Sequence, residues 1–229
     1  MKQTCKLPSR AYGFTLIEMA VVLLILGVML GWLLTPLEAQ IDQRRLQETR
    51  ESLAEIKEAL IGFAMINGRF PCPATVTEPA SADFGVEITP CSSGATSEGY
   101  LPWKTLGVSE IDAWGEMQKT SAGGMIGYWR YRVDREFSKP FNMATETSNS
   151  DKLKVQDSIG NSLTAETQRP VVIFYSTGKN RVADGENADY EGTNGVYQSD
   201  VQSPVFDDHV VWISRPLLMS RMVAAGKLP

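Results

Sequence analysis

Histidine and cysteine are scarce in this chain, which has one histidine, His209, and three cysteines, Cys5, Cys72 and Cys91. They nowhere take the spacing of a zinc site. No Gly-x-Ser-x-Gly nucleophile elbow occurs. The run Ser176-Thr-Gly-Lys-Asn180 has a Gly-Lys step but lacks the spaced first glycine and the following Ser or Thr of a phosphate loop. A basic surplus is also missing. The 229 residues include 22 basic and 27 acidic ones, a net charge of −5, which gives no electrostatic footprint for a nucleic-acid backbone. These absences argue against an enzyme and against nucleic-acid binding.

Apolar residues are plentiful. Hydrophobic residues make up 43% and charged ones 21%, enough for a packed core and too little charge for wholesale disorder. The length suits one compact domain plus an anchor. Phe14 to Leu34 (FTLIEMAVVLLILGVMLGWLL) is a run of 21 residues, apolar except for Thr15 and Glu18. As a helix it would extend roughly 30 Å, the thickness of a bilayer core. A secretory signal has a shorter apolar region followed by a small-x-small cleavage site. Here the site nearest that pattern, Leu37-Glu38-Ala39, places a large residue where a small one is needed. Glu18 stands out, because a carboxylate inside an apolar span costs on the order of 3 kcal/mol. Its position near one end permits snorkelling. A sharper role requires a cationic partner, and a free amine at Phe14 is the nearest type available.

The segment Gly13-Phe14-Thr15-Leu16-Ile17-Glu18-Met19 follows a short leader with Lys2, Lys6 and Arg10 and precedes the apolar run. It resembles the type IV prepilin signature. The resemblance implies cleavage between Gly13 and Phe14 by prepilin peptidase on the cytoplasmic side, followed by N-methylation of Phe14. It implies that Glu18 is the assembly glutamate, pairing with the N-terminal amine of a neighbouring subunit. Other pilin or pseudopilin subunits and an inner-membrane assembly platform are the implied partners. Charge alone does not orient the span, since Arg44, Arg45 and Arg50 flank its far end. The motif places the leader in the cytoplasm and the head in the periplasm, with a single pass through the bacterial inner membrane. Losing Met1–Gly13 removes three basic residues and takes the net charge from −5 to −8.

The expected fold is α+β, a long N-terminal helix packed on an antiparallel β-sheet head. Its expected parts are a leader at 1–13, a transmembrane and assembly helix at 14–36, an amphipathic continuation at 37–67 and a globular pilin-like head at 68–229. Leu46, Leu53, Ile56, Leu60, Phe63 and Ala64 recur at helical spacings, and Asn67-Gly68 is the stop. Residues 69–99 are rich in turn formers. In an oxidising compartment Cys72 and Cys91 would pair, closing a loop worth roughly 3 kcal/mol; two buried free thiols are the alternative. Met125 to Val133 predicts a hairpin strand, Val171 to Tyr175 and Val210 to Ser214 buried strands, and Leu217 to Val223 a last short helix. Residues 138–168 are polar and are expected to contain a variable surface loop.

Between those two buried strands lies an acidic loop with Asp184, Asn187, Asp189, Asp207 and Asp208. Carboxylate and amide oxygens are what calcium binds, although the spacing is not that of an EF-hand. The run Gly185-Glu-Asn-Ala-Asp189 resembles the calcium-stabilised loop of major type II secretion pseudopilins, which implies a structural calcium. The alternative is a hydrophilic loop whose acids cap turns. The functional expectation is a filament subunit, either a type II secretion pseudopilin or a minor type IV pilin. The alternative is a signal-anchored periplasmic binding domain that does not polymerise.

Overall fold

The computed structural model describes residues 13–91, 98–115, 118–119, 125–189 and 194–228, with side chains left out at 30–37, 118–119, 126 and 189. The leader apart from Gly13, with Cys5, and the side chain of Asp189 therefore lie outside the described residues. The chain divides into two compact units at Arg44–Arg45. A single helix, α1, runs Leu16–Asn67. The described large apolar side chains of Phe14, just before it, and of its own first turns from Leu16 to Met29 are all exposed, Leu16 by 90% and Leu24 by 68%. Among the described residues no helix is long and apolar enough to cross a membrane. The side chains at 30–34, which would complete the expected span, lie outside that description.

In the second unit α1 buries Leu53, Ile56, Leu60, Ile61 and Ala64, a stripe at helical spacing that faces the sheet. Gly68 ends the helix at a φ of +67°, its amide donating to the Ala64 carbonyl at 2.8 Å. A left-handed residue here costs least as glycine. The main sheet contains β1 (Glu98–Tyr100), β4 (Arg130–Val133), β6 (Pro170–Ser176) and β8 (His209–Ser214), in the order β1-β4-β6-β8 and antiparallel throughout. Every residue of β6 is buried, which explains its unbroken apolar run. One face (Tyr131, Val133, Val172, Phe174 and Ile213) packs on α1 and on α3 (Arg215–Ala224). The other face (Ile173 and Tyr175) is covered by Leu153, Val155 and Tyr197. Those residues come from β5 (Lys154–Gln156) and β7 (Val196–Gln198) or lie next to them, and the two strands pair in parallel.

Cys72 and Cys91 are joined in a disulfide, with Cα atoms 5.6 Å apart. The same loop is tied by Arg69, which donates to both oxygens of Glu87 at 2.8 and 2.9 Å. The short helix α2 (Trp103–Leu106) packs Trp103 edge-on to Phe84.

Two expectations change. The stretch 125–133 is not one strand. It divides into β3 (Met125–Ile126), paired with β2 (Gln118–Lys119), and β4. Gly127 at φ +77° sits at the break, and a left-handed residue interrupts the ladder. β8 is not the buried strand expected: it lies at the edge of the sheet and is half-buried except at Ile213. The polar stretch 138–168, expected to contain a surface loop, also holds ordered structure. It contains β5 and buries Ser148, Asp151, Leu153, Val155 and Thr164. The polar members are accommodated by hydrogen bonds, such as the Asp134 Oδ2 that accepts from the Ser148 amide at 2.8 Å.

Candidate functional site

At the N-terminus, Thr15 and Glu18 form a capping box. Glu18 Oε2 accepts from the Thr15 amide at 3.1 Å and from its hydroxyl at 3.0 Å, and the Glu18 amide donates back to Thr15 Oγ1 at 3.3 Å. Two of the helix's orphan donors are thereby satisfied. In the single chain, Thr15 thus supplies hydrogen-bond donors to the Glu18 carboxylate but no counter-charge. The Thr-x-x-Glu spacing carries that cap in the sequence. Gly13 and Phe14 precede the helix, with Phe14 81% exposed.

The second region is the acidic loop between β6 and β8. A turn of 3-10 helix spans Gly185–Asp189. Carboxylate oxygens of Asp184, Asp207 and Asp208 converge to within 4.8 Å of one another. Backbone and amide donors hold them there. The Asp184 amide and Asn187 Nδ2 each donate to Asp208 Oδ2 at 2.9 Å, and the Asp207 amide donates to Asp184 Oδ2 at 3.0 Å. Asn180 donates from its side chain to Asp184 and from its amide to Asp207. Gly178 permits this packing, because a Cβ there would lie 2.4 Å from the Asp207 carbonyl. Asn187 is fully buried but serves as a brace, since its Oδ1 accepts from the Gln198 amide and its Nδ2 donates to the Gln198 carbonyl.

Two oxygens in this cluster, Asp207 Oδ1 and Asp208 Oδ1, have no hydrogen-bond partner among the described residues. The Asp208 side chain is only 3% exposed. Burial, reinforced by the neighbouring Asp184 and Asp207 charges, pushes Asp208 up to about 7, and Asp207 is raised for the same reasons. Three convergent carboxylates, two of them with an unpaired buried oxygen, are the kind of donor set a hard cation takes. The residues present therefore fit calcium through Asp184, Asp207 and Asp208. Asn187 Nδ2 orients Asp208, while its Oδ1 accepts from the Gln198 amide.

Other buried carboxyls shift upward as well. Burial pushes Glu98 up to about 7 against the pull of Arg132, and pushes Asp112 and Asp134 up to about 6. Asp112 is bonded to the Ser176 hydroxyl. In the window between the ordinary carboxylate pKa near 4 and these raised values, the folded chain keeps protons that the unfolded chain has released. Stability therefore falls as pH rises through that window. His209, pushed down to about 4 by burial and Arg50, acts in the opposite sense, but it is one group against five. In EDTA the melting temperature is expected to drop by on the order of 5 °C between pH 5 and pH 8. A melting temperature that is flat or rises over that range would contradict these assignments.

Residues 8–34 match the prokaryotic N-terminal methylation motif. This chain carries the type IV pilin-like prepilin signature. The motif marks it as a prepilin-peptidase substrate and, in general terms, as a partner for pilin subunits. No curated protein and no solved structure gives a significant match. The prepilin signature covers the leader's end and the first part of α1, and it contains the Thr15–Glu18 capping box.

Proposed function

We propose that the chain is a non-catalytic subunit of a membrane-rooted filament, cleaved between Gly13 and Phe14 and methylated on the Phe14 amine. The methylation motif over residues 8–34 carries this reading. It is supported by the apolar surface that α1 leaves exposed from Phe14 to Met29, since exposed apolar area on this scale is normally covered by lipid or protein. Residues 14–36 serve as the inner-membrane anchor, and the remainder lies in the periplasm. Glu18 is the assembly carboxylate. The Asp184–Asp207–Asp208 cluster binds a structural calcium, which favours a type II secretion pseudopilin over a minor type IV pilin. When bound, calcium would offset two of the three negative charges of the cluster and tie the β6–β8 loop to the start of β8.

Fractionation tests the anchor. The full chain is expected in the membrane fraction and should resist carbonate extraction, whereas a variant lacking residues 14–36 should be released as soluble protein. Recovery of the full chain as soluble protein would remove the basis for a membrane-rooted filament.

A further inference from the structure

The sheet face opposite α1 carries a charged site unrelated to the acidic loop. A cavity of about 370 Å³ opens beside the first residues of β5 and β7, within the size range of small-ligand sites. Its lining includes Asp151, Lys152, Lys154, Arg169, Asn194 and Gly195. Asp151 is already engaged, since it accepts from the Arg135 side chain at 2.5 to 3.0 Å and from the Arg135 amide at 2.9 Å. Arg169 is paired with Glu166. The ammonium groups of Lys152 and Lys154 have no partner among the described residues.

Behind Asp151 and Asn194 lies Arg132, 1% exposed. Its Nη1 donates to Glu98 Oε2 at 2.6 Å and to the Asn194 carbonyl at 3.2 Å. Its Nη2 stands 3.8 Å from Asp151 Oδ1. Both Nε and Nη2 lack a hydrogen-bond partner among the described residues. A buried donor without an acceptor is unfavourable, and a guanidinium presents its donors in a fork suited to oxyanions. Among the described residues that line the cavity, three cationic side chains (Lys152, Lys154 and Arg169) meet two carboxylates (Asp151 and Glu166). That local positive surplus sits in a chain whose net charge is −5.

We propose that this cavity binds a small oxyanion, a carboxylate or phosphate group, through Lys152 and Lys154, with Arg132 supplying positive potential from behind. Glu166 is exposed, and its pairing with Arg169 leaves the lysines as the accessible cations. Binding here is independent of calcium, because none of these residues belongs to the Asp184–Asp207–Asp208 cluster.

The test is an amide NMR titration of the full chain in detergent micelles with inorganic phosphate and, separately, citrate at constant ionic strength. Saturable shifts at Lys154, Gly195 and Val196 are expected for at least one anion, with a dissociation constant on the order of 1 mM or lower. Lys152→Ala combined with Lys154→Met should weaken binding at least about tenfold. Both side chains are at least partly exposed, so the fold should persist. Lys139→Ala, outside the cavity, should leave the affinity unchanged. Shifts that fail to saturate with either anion, or an affinity unaltered by the double substitution, would overturn the proposal.

Discussion

Glu18→Ala should leave the chain in the membrane and correctly cleaved, yet exclude it from the filament. Removing the carboxylate relieves an insertion cost on the order of 3 kcal/mol, so membrane retention should not fall. It also dismantles the capping box, in which Glu18 Oε2 accepts from the amide and hydroxyl of Thr15, at a cost of about 1 kcal/mol. In the proposed filament the larger effect lies between subunits. A neighbour's Phe14 ammonium would be buried without its counter-charge, and breaking such a pair typically costs about 3–5 kcal/mol. Incorporation into sheared or cross-linked filament should therefore fall by at least about a hundredfold. Thr15→Ala separates the two contributions, because it breaks the cap but keeps the carboxylate. It should assemble with only a modest loss. Equal failure of both variants would make Glu18 a helix cap and nothing more, and normal incorporation of Glu18→Ala would remove its assembly role.

Calcium should raise the melting temperature of the wild-type chain, and Asp208→Asn should abolish that gain. At calcium a hundredfold above its dissociation constant, linkage gives about 2.7 kcal/mol, or on the order of 5–10 °C for a domain of this size. The substitution keeps an oxygen for the Asp184 amide and Asn187 Nδ2 that Asp208 accepts from, so the loop should still close. It removes a buried charge that burial and two adjacent carboxylates disfavour. In EDTA at pH 8 the variant should therefore melt at or above the wild-type temperature, while in calcium it should melt below it. That crossover distinguishes a cation site from a set of acids capping turns. The same calcium-induced rise in both proteins would place the binding elsewhere. No rise in either would mean that the acidic loop is held by its own hydrogen bonds alone.

The parts legible in the sequence were those where one physical signal dominates. The stripe from Leu53 to Ala64, the stop at Gly68 and the apolar runs of β6 and β8 all appear where periodicity and run length place them. The rest depends on contacts distant in sequence. β5 has a single buried residue, Val155, within a polar stretch, and its parallel partner β7 lies about forty residues on, so no local pattern marks it. Arg132 looks like a surface charge in Arg-Tyr-Arg-Val. It is buried because β1 places Glu98 directly across from it and Tyr197 donates to that carboxylate at 2.5 Å. The candidate cation site was legible in composition, but the convergence of Asp184, Asp207 and Asp208 was not. Asp184 and the Asp207–Asp208 pair meet because β6 and β8 are adjacent strands, and Asn187 braces Asp208 once Gln198 is brought beside it. At the N-terminus the Thr-x-x-Glu cap was readable from spacing alone, yet burial cost pointed first to a cationic partner, which the prepilin resemblance places in another subunit.

The most direct test is intact-mass and N-terminal analysis of the protein recovered from membranes of a host with an active prepilin peptidase. A chain beginning at methylated Phe14 is the expected result. A chain that still carries Met1–Gly13 under those conditions would contradict the prepilin account and leave a signal-anchored domain in its place.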